Sequence, residues 1–136
     1  MATLSLKRSS TRLVELRQQK QKRVENRQQA EKWRRVRAYQ RHLRKTYPAV
    51  FDPKAPKPLQ LHIHQALAKV RPEGVGHKTV RLALAMWCRG PVYLRAVAEG
   101  GHRFNLAGMP AGTVSPEHQA NARQRLAIIE AKRKQA

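Results

Sequence analysis

The sequence predicts a mainly α-helical domain with one small β-hairpin, preceded by a basic N-terminal arm that is helical or disordered. Three observations predict it. All 7 glycines and all 8 prolines fall after residue 46, where tight turns between packed elements need them. Apolar residues from Trp33 onward recur at helical spacing. One stretch, His102 to Leu106, alternates instead and is followed by turn residues.

The arm comes first. Residues 1–46 hold 15 Lys and Arg against 3 acids, with no Gly or Pro. Ser10 or Thr11 is suited to cap a helix, and Arg17 to Lys32 is rich in good helix formers, but only Val24 and Ala30 are apolar there. Such a helix has little to bury and is expected to be solvated or ordered by a partner. Trp33, Val36, Gln40, Leu43 and Tyr47 then mark the first helix of the domain, with Pro48 helping to end it. A second helix is expected from Pro58, because Leu59, Ile63, Ala66, Leu67 and Val70 form one apolar stripe that Pro72 and Gly74 close. A third runs from about Lys78 to Cys88 and buries Val80, Ala83, Leu84 and Trp87. Gly90 and Pro91 break it, and Pro91 opens a short helix that Gly100 and Gly101 end. After the hairpin, Ser115, Pro116 and Glu117 start the last helix, whose inner side is Ala122, Leu126 and Ile129. The expected division is therefore an arm over residues 1–32, a domain over 33–130 and a basic tail over 131–136.

Charge narrows the function. The 136 residues carry 29 Lys and Arg against 8 Asp and Glu, a net charge of +21, which calls for a polyanionic partner. With 40% hydrophobic and 5% aromatic residues, the chain can build one modest, aliphatic core. A single cysteine, Cys88, excludes a disulfide framework and suggests a reducing compartment. The opening MATLSLKRSSTRLVELR is charged throughout and lacks the apolar stretch of a secretory signal. No uncharged apolar run approaches the roughly 18 residues of a membrane span. The expectation is a soluble, cytoplasmic protein with no membrane association.

Catalysis is not expected. The acids between residues 47 and 115 are Asp52, Glu73 and Glu99, too few and dispersed for a Ser/His/Asp set or a carboxylate pair. His62 and His64 would share a face on a strand, but the apolar stripe around them indicates a helix, on which they point apart. They are taken as surface histidines, so neither a metal nor a cofactor is expected. GlyValGlyHisLys lacks the length of a phosphate-binding loop, yet it precedes a helix N-terminus beside Lys78 and is either an anion site or a plain interhelical loop. The candidate nucleic-acid contacts are His77, Lys78, Arg81, Arg89, Tyr93, Arg95, His102 and Arg103, which are interspersed with the apolar residues of the helices. Guanidinium groups grip phosphates in pairs of bonds, and a tyrosine beside them can stack on a base.

The runs YPAVFDPKAPKPLQLHIHQAL, VRLALAMWCRGPVYLRAV and EGGHRFNLAGMPAGTVSPEHQANARQRL resemble the ProQ/FinO family of bacterial RNA chaperones over roughly residues 38–127. Shared motifs include aromatic-Pro-x-x-Phe, a Lys-Pro-Leu helix start, Tyr-Leu after a basic helix and the hairpin run Gly-x-x-Arg-Phe-Asn-Leu. The resemblance implies a compact FinO-type helical domain that binds a terminator-type RNA stem-loop and its single-stranded 3′ tail. Arg81, Tyr93 and Arg103 fall on the family's functional positions, and His77 and Lys78 on the helix start that meets the 3′ end. Family members often have Gly at the place of His62. The implied role is that of a monomeric RNA chaperone that stabilises small or antisense RNAs and promotes RNA pairing in post-transcriptional regulation. The alternatives are a dedicated antisense-RNA regulator of plasmid conjugation and a non-specific basic architectural protein.

Overall fold

The computed structural model describes the backbone of residues 2–135 and the side chains from Arg8 onward. Among these residues the order is α1 (Ala2–Thr46), α2 (Ile63–Lys69), α3 (His77–Arg89), α4 (Pro91–Glu99), β1 (His102–Phe104), β2 (Pro110–Thr113) and α5 (Pro116–Gln135). Contacts divide the chain into two units, Met1–Arg35 and Val36–Ala136.

In the first unit the arm is helical. Ser10 and Thr11 lie inside α1, which starts at Ala2, so neither is the expected cap, and Trp33 lies within the same helix instead of opening a new one. Side chains from Arg8 to Arg35 are exposed, apart from half-buried Trp33, whose ring lies 5.7 Å from the Lys32 ammonium. Leu13, Val14, Leu16 and Val24 are exposed on this helix.

The second unit holds the core. Val36, Tyr39 and Leu43 of α1 are buried with Val50 and Phe51, and half-buried Gln40 donates from Nε2 to the Ala83 carbonyl at 3.2 Å. Tyr47 N–H closes the last turn of α1 on the Leu43 carbonyl at 2.8 Å, and Pro48 follows. Phe51 meets Trp87 edge-on with ring centroids 5.4 Å apart. Gly90 and Pro91 separate α3 from α4, with Pro91 in the first turn of α4, as the proline and glycine placement predicts.

Two local expectations fail for one reason. α2 begins at Ile63, not Pro58, because Pro58 to Gln60 is extended and forms a parallel bridge with β1. Phe104 N–H bonds the Pro58 carbonyl, and Gln60 N–H bonds the Phe104 carbonyl, each at 2.9 Å. Leu59, Ile63 and Leu67 are all buried, so the stripe is real, but a strand end supplies its first member. His62 therefore precedes the helix with φ 60, in the left-handed region, and its ring meets that of His64 edge-on at 6.0 Å instead of pointing away. A non-glycine residue there carries a strain of about 1–2 kcal/mol, which explains why glycine suits this position.

The hairpin forms as expected. β1 and β2 pair antiparallel, with His102 opposite Thr113 and Phe104 opposite Pro110 across a bulge. Asn105 Oδ1 accepts from the N–H groups of Ala107 and Met109 at 3.1 and 3.0 Å, which fixes the turn. Gly108 has φ 79 and a Cβ there would lie 2.9 Å from Ala49 Cβ, so glycine is required twice over. Ser115 Oγ accepts from His118 N–H at 3.2 Å at the start of α5. On α5 Ala122 is buried while Leu126 and Ile129 are half-buried, and the helix continues to Gln135 through the residues expected to form a tail.

Leu67 is fully buried and Val70 is 54% exposed, although the stripe gave them the same role. Leu67→Ala should cost about 2–5 kcal/mol in denaturant unfolding followed by circular dichroism. Val70→Ala should stay within about 0.5 kcal/mol.

Candidate nucleic-acid interface

The site is built around the backbone of Leu59. Its neighbours Pro58 and Gln60 face β1, so its own N–H and C=O point the other way, into the protein. Leu59 is buried, and polar groups there need partners. Tyr93 Oη, from α4, accepts the Leu59 N–H at 3.1 Å. Arg103 Nη1, from β1, donates to the Leu59 carbonyl at 2.7 Å. Both side chains are only 7% exposed. Beside any contact with a nucleic acid, the tyrosine and the arginine thus hold the Leu59 main chain.

The same two residues line an open pocket of about 230 Å³, whose other walls are Cys88, Leu94, Val97 and the His118, Asn121, Ala122 and Arg125 face of α5. Arg103 Nη2 lies 3.1 Å from His118 Nδ1. Since the guanidinium can only donate, His118 Nδ1 is the acceptor in this bond. Arg103 Nε is buried with no partner. A charged donor left unsatisfied is costly. Burial, reinforced by neighbouring Cys88, pushes the Tyr93 hydroxyl up to about 12. Burial also pushes the Cys88 thiol up, against the opposing effects of Tyr93, Arg103 and Arg125. At neutral pH both groups are therefore protonated, and the positive charge in the pocket comes from arginine.

The remaining predicted residues fall elsewhere in the same unit. His77 and Lys78 are exposed in the first turn of α3, whose N-cap Gly76 offers no side-chain bond, so amides of that turn are open to an anion. His77 and, one turn on, Arg81 line a second recess of about 240 Å³ with His64, Gln65 and Ala68 of α2. Arg89, at the end of α3, lines a third of about 320 Å³ with Leu94, Arg125, Ile128 and Ile129. Lys78, Arg95 and His102 are exposed and line none of the three. The structure thus brings Tyr93 and Arg103 together and His77 and Arg81 together, rather than gathering all eight.

Sequence reasoning missed the α5 wall. His118, Asn121, Ala122 and Arg125 recur at i, i+3, i+4 and i+7, a helical face legible once α5 is placed. The Leu59 backbone gave no signal, because main-chain atoms are the same at every residue. Among the described residues no group of three or more His, Cys, Asp or Glu could hold a metal ion, and no helix is long and apolar enough to cross a membrane.

Residues 33–136 match the ProQ/FINO family. Over 78 residues the chain is 37% identical to the RNA chaperone ProQ of Haemophilus influenzae strain Rd, a match that takes in 56% of this chain and 40% of that relative's length. The crystal structure of a FinO-like RNA chaperone from Neisseria meningitidis MC58 superposes with a TM-score of 0.62 at 34% identity, covering 71% of this chain and 84% of that one. The solution structure of a ProQ homolog from Legionella pneumophila shares the fold, with a TM-score of 0.52 at 24% identity over 62% of this chain and 74% of its own.

The geometry makes Tyr93 and Arg103 structural as well as accessible to a ligand. Tyr93→Phe, which leaves the Leu59 N–H buried and unpaired, should lower unfolding stability by about 1–3 kcal/mol, and Arg103→Ala should cost about 1.5–3 kcal/mol through the Leu59 carbonyl. Tyr39 is likewise pushed up to about 12 by burial, chiefly, and by Tyr47. The fold favours the neutral hydroxyls, so their stabilisation is complete below about pH 10 and disappears as pH rises through about 12. Tyrosinate absorbance for these two side chains should emerge only near the upper value, together with the loss of helical dichroism.

Proposed function

The chain belongs to the ProQ/FINO family, and from that membership we propose that it is a non-enzymatic RNA-binding chaperone that holds a stem-loop and its single-stranded 3′ tail. The observation that carries the reading is the Tyr93–Arg103 pocket: an open recess of about 230 Å³ walled by the cationic side chains Arg103 and Arg125. Such a pocket takes one small anionic unit, not the face of a duplex. A nucleotide fits it by chemistry, since its oxygens accept from arginine and its base can lie against Leu94 and Val97. The α3 start at His77 and Lys78, with Arg81 beside it, offers amides and cations to the adjoining phosphates. Arg95 and His102 supply exposed positive charge around these recesses.

The net charge of +21 supports a further contribution that is blind to sequence. α1 concentrates it: its 15 Lys and Arg face 3 acids. By screening phosphate repulsion it would bring complementary RNAs together while the second unit keeps hold of one of them. Stabilisation of small or antisense RNAs and post-transcriptional control follow as the biological outcome of this reading.

A hairpin with a short uridine tail and a free 3′ hydroxyl should bind more tightly than the same RNA with a 3′-phosphate or with no tail. An electrostatic binder would instead favour the added phosphate. Equal affinities for all three RNAs at moderate salt would overturn the pocket reading. Arg81→Ala should weaken binding by about 1.5–3 kcal/mol without loss of helical dichroism, because the side chain is exposed.

The logarithm of affinity should fall linearly with the logarithm of salt concentration, with a slope of roughly −0.7 to −0.9 for each phosphate neutralised. Removing residues 1–32 should make that slope shallower and slow the pairing of complementary RNAs, with the preference for a tailed hairpin intact. Loss of that preference on truncation would show that the arm, not the pocket, reads the tail.

A further inference from the structure

The third recess, of about 320 Å³, has no place in the reading above. Its floor is Leu94 of α4 with Ile128 and Ile129 of α5, and its rim is Arg89 and Arg125. Ile128 is 50% exposed on a helix otherwise rich in charged and amide side chains, and nothing in the fold covers it. The recess shares Leu94 and Arg125 with the Tyr93–Arg103 pocket, so the two are adjoining compartments along the same face of α4 and α5.

We propose that this recess is a second nucleotide subsite, in which the base next to the nucleotide held at Tyr93 and Arg103 lies on Leu94, Ile128 and Ile129 while Arg125 and Arg89 take the flanking phosphates. The proposal rests on the RNA-binding reading and extends it to Ile128 and Ile129, which that reading does not use. Three observations favour a nucleotide over a protein segment. The rim carries two guanidinium groups and no carboxylate, which suits a chain with one phosphate per unit. The shared wall means that a strand already held in the first pocket delivers its next unit here, at the high effective concentration that tethering gives. The floor is aliphatic, so a base face laid on it is held by burial of apolar surface, without its edge being read.

The assignment gives Arg125 a particular task. It borders both compartments and is exposed, so its guanidinium stands where the phosphate between two successive nucleotides would pass. Arg89 stands at the far side, where the strand would leave.

The test is a coupling measurement on the full chain. A hairpin with a six-nucleotide uridine tail is prepared intact and with a single abasic unit walked along the tail, which deletes a base and keeps its phosphate. Each RNA is titrated against the wild-type protein, Ile128→Ser and Ile128→Met. For the wild type, one abasic position next to the first-pocket nucleotide should cost roughly five- to tenfold in affinity, the value of a stacked base. In Ile128→Ser the intact tail should already be weaker by that factor, and the abasic unit should cost nothing more. Ile128→Met, which keeps an apolar floor, should behave as the wild type. Because these substitutions leave the charge unchanged, a purely electrostatic contribution would not respond to them.

If the wild type prefers the tailed hairpin but no abasic position couples to Ile128, the subsite is wrong, the recess is left to a protein partner, and the RNA reading stands. If the wild type binds the tailed and tailless hairpins alike, the pocket reading and the subsite fall together.

Discussion

The structure of the second unit depends on how one residue's main chain is satisfied. Leu59 sits at the end of an extended segment, buried, with its N–H and C=O turned away from the strand beside it. Neither helix nor sheet can supply partners at that spot, so two side chains must. The tyrosine comes from α4 and the arginine from β1, and their bonds at 3.1 and 2.7 Å join three parts of the chain that are far apart in sequence. A neutral bond of this kind contributes about 1 kcal/mol and a charged one about 1.5–3 kcal/mol, a large share of the margin by which a small domain stays folded. The pocket is the other side of the same arrangement, since the groups that hold Leu59 also form its wall.

That economy has a functional reading. A binding residue whose position is fixed by packing and by a short bond to the backbone does not have to be ordered by the ligand, so less of the binding energy is spent on ordering. Arg103 is anchored at both terminal nitrogens, through the Leu59 carbonyl and His118 Nδ1, and Nε is the one guanidinium nitrogen without a partner. In the proposed reading the exposed arginines, Arg81, Arg89, Arg95 and Arg125, would be the adaptable complement: long, solvated side chains able to follow a backbone of phosphates rather than define one position.

Much of the fold was legible because glycine and proline punctuate it. α3 and α4 lie close to where Gly76, Gly90, Pro91 and Gly100 place them, and the hairpin turns at Gly108, although Asn105, read as part of the strand, belongs to the turn. The start of α2 was misread because Leu59, Ile63 and Leu67 keep helical spacing by coincidence: a strand residue happens to stand four before the first helical one. Periodicity cannot distinguish these cases when the deciding partner, Phe104, is 45 residues away. The site was legible in residue type and not in burial. Tyr93 and Arg103 could be picked out as chemistry-bearing, but that both are 7% exposed follows from the Leu59 main chain, which no side-chain pattern reports.

Cys88 is the chain's single sulfhydryl, and it stands in the pocket wall beside Tyr93 and Arg103 with its ionisation held back by burial. A protonated thiol reacts slowly with an electrophile, and more slowly still when something occupies the pocket it lines. Its alkylation rate is therefore a reporter built into the molecule. It needs no engineered label, and it falls with the share of molecules in which that pocket is filled.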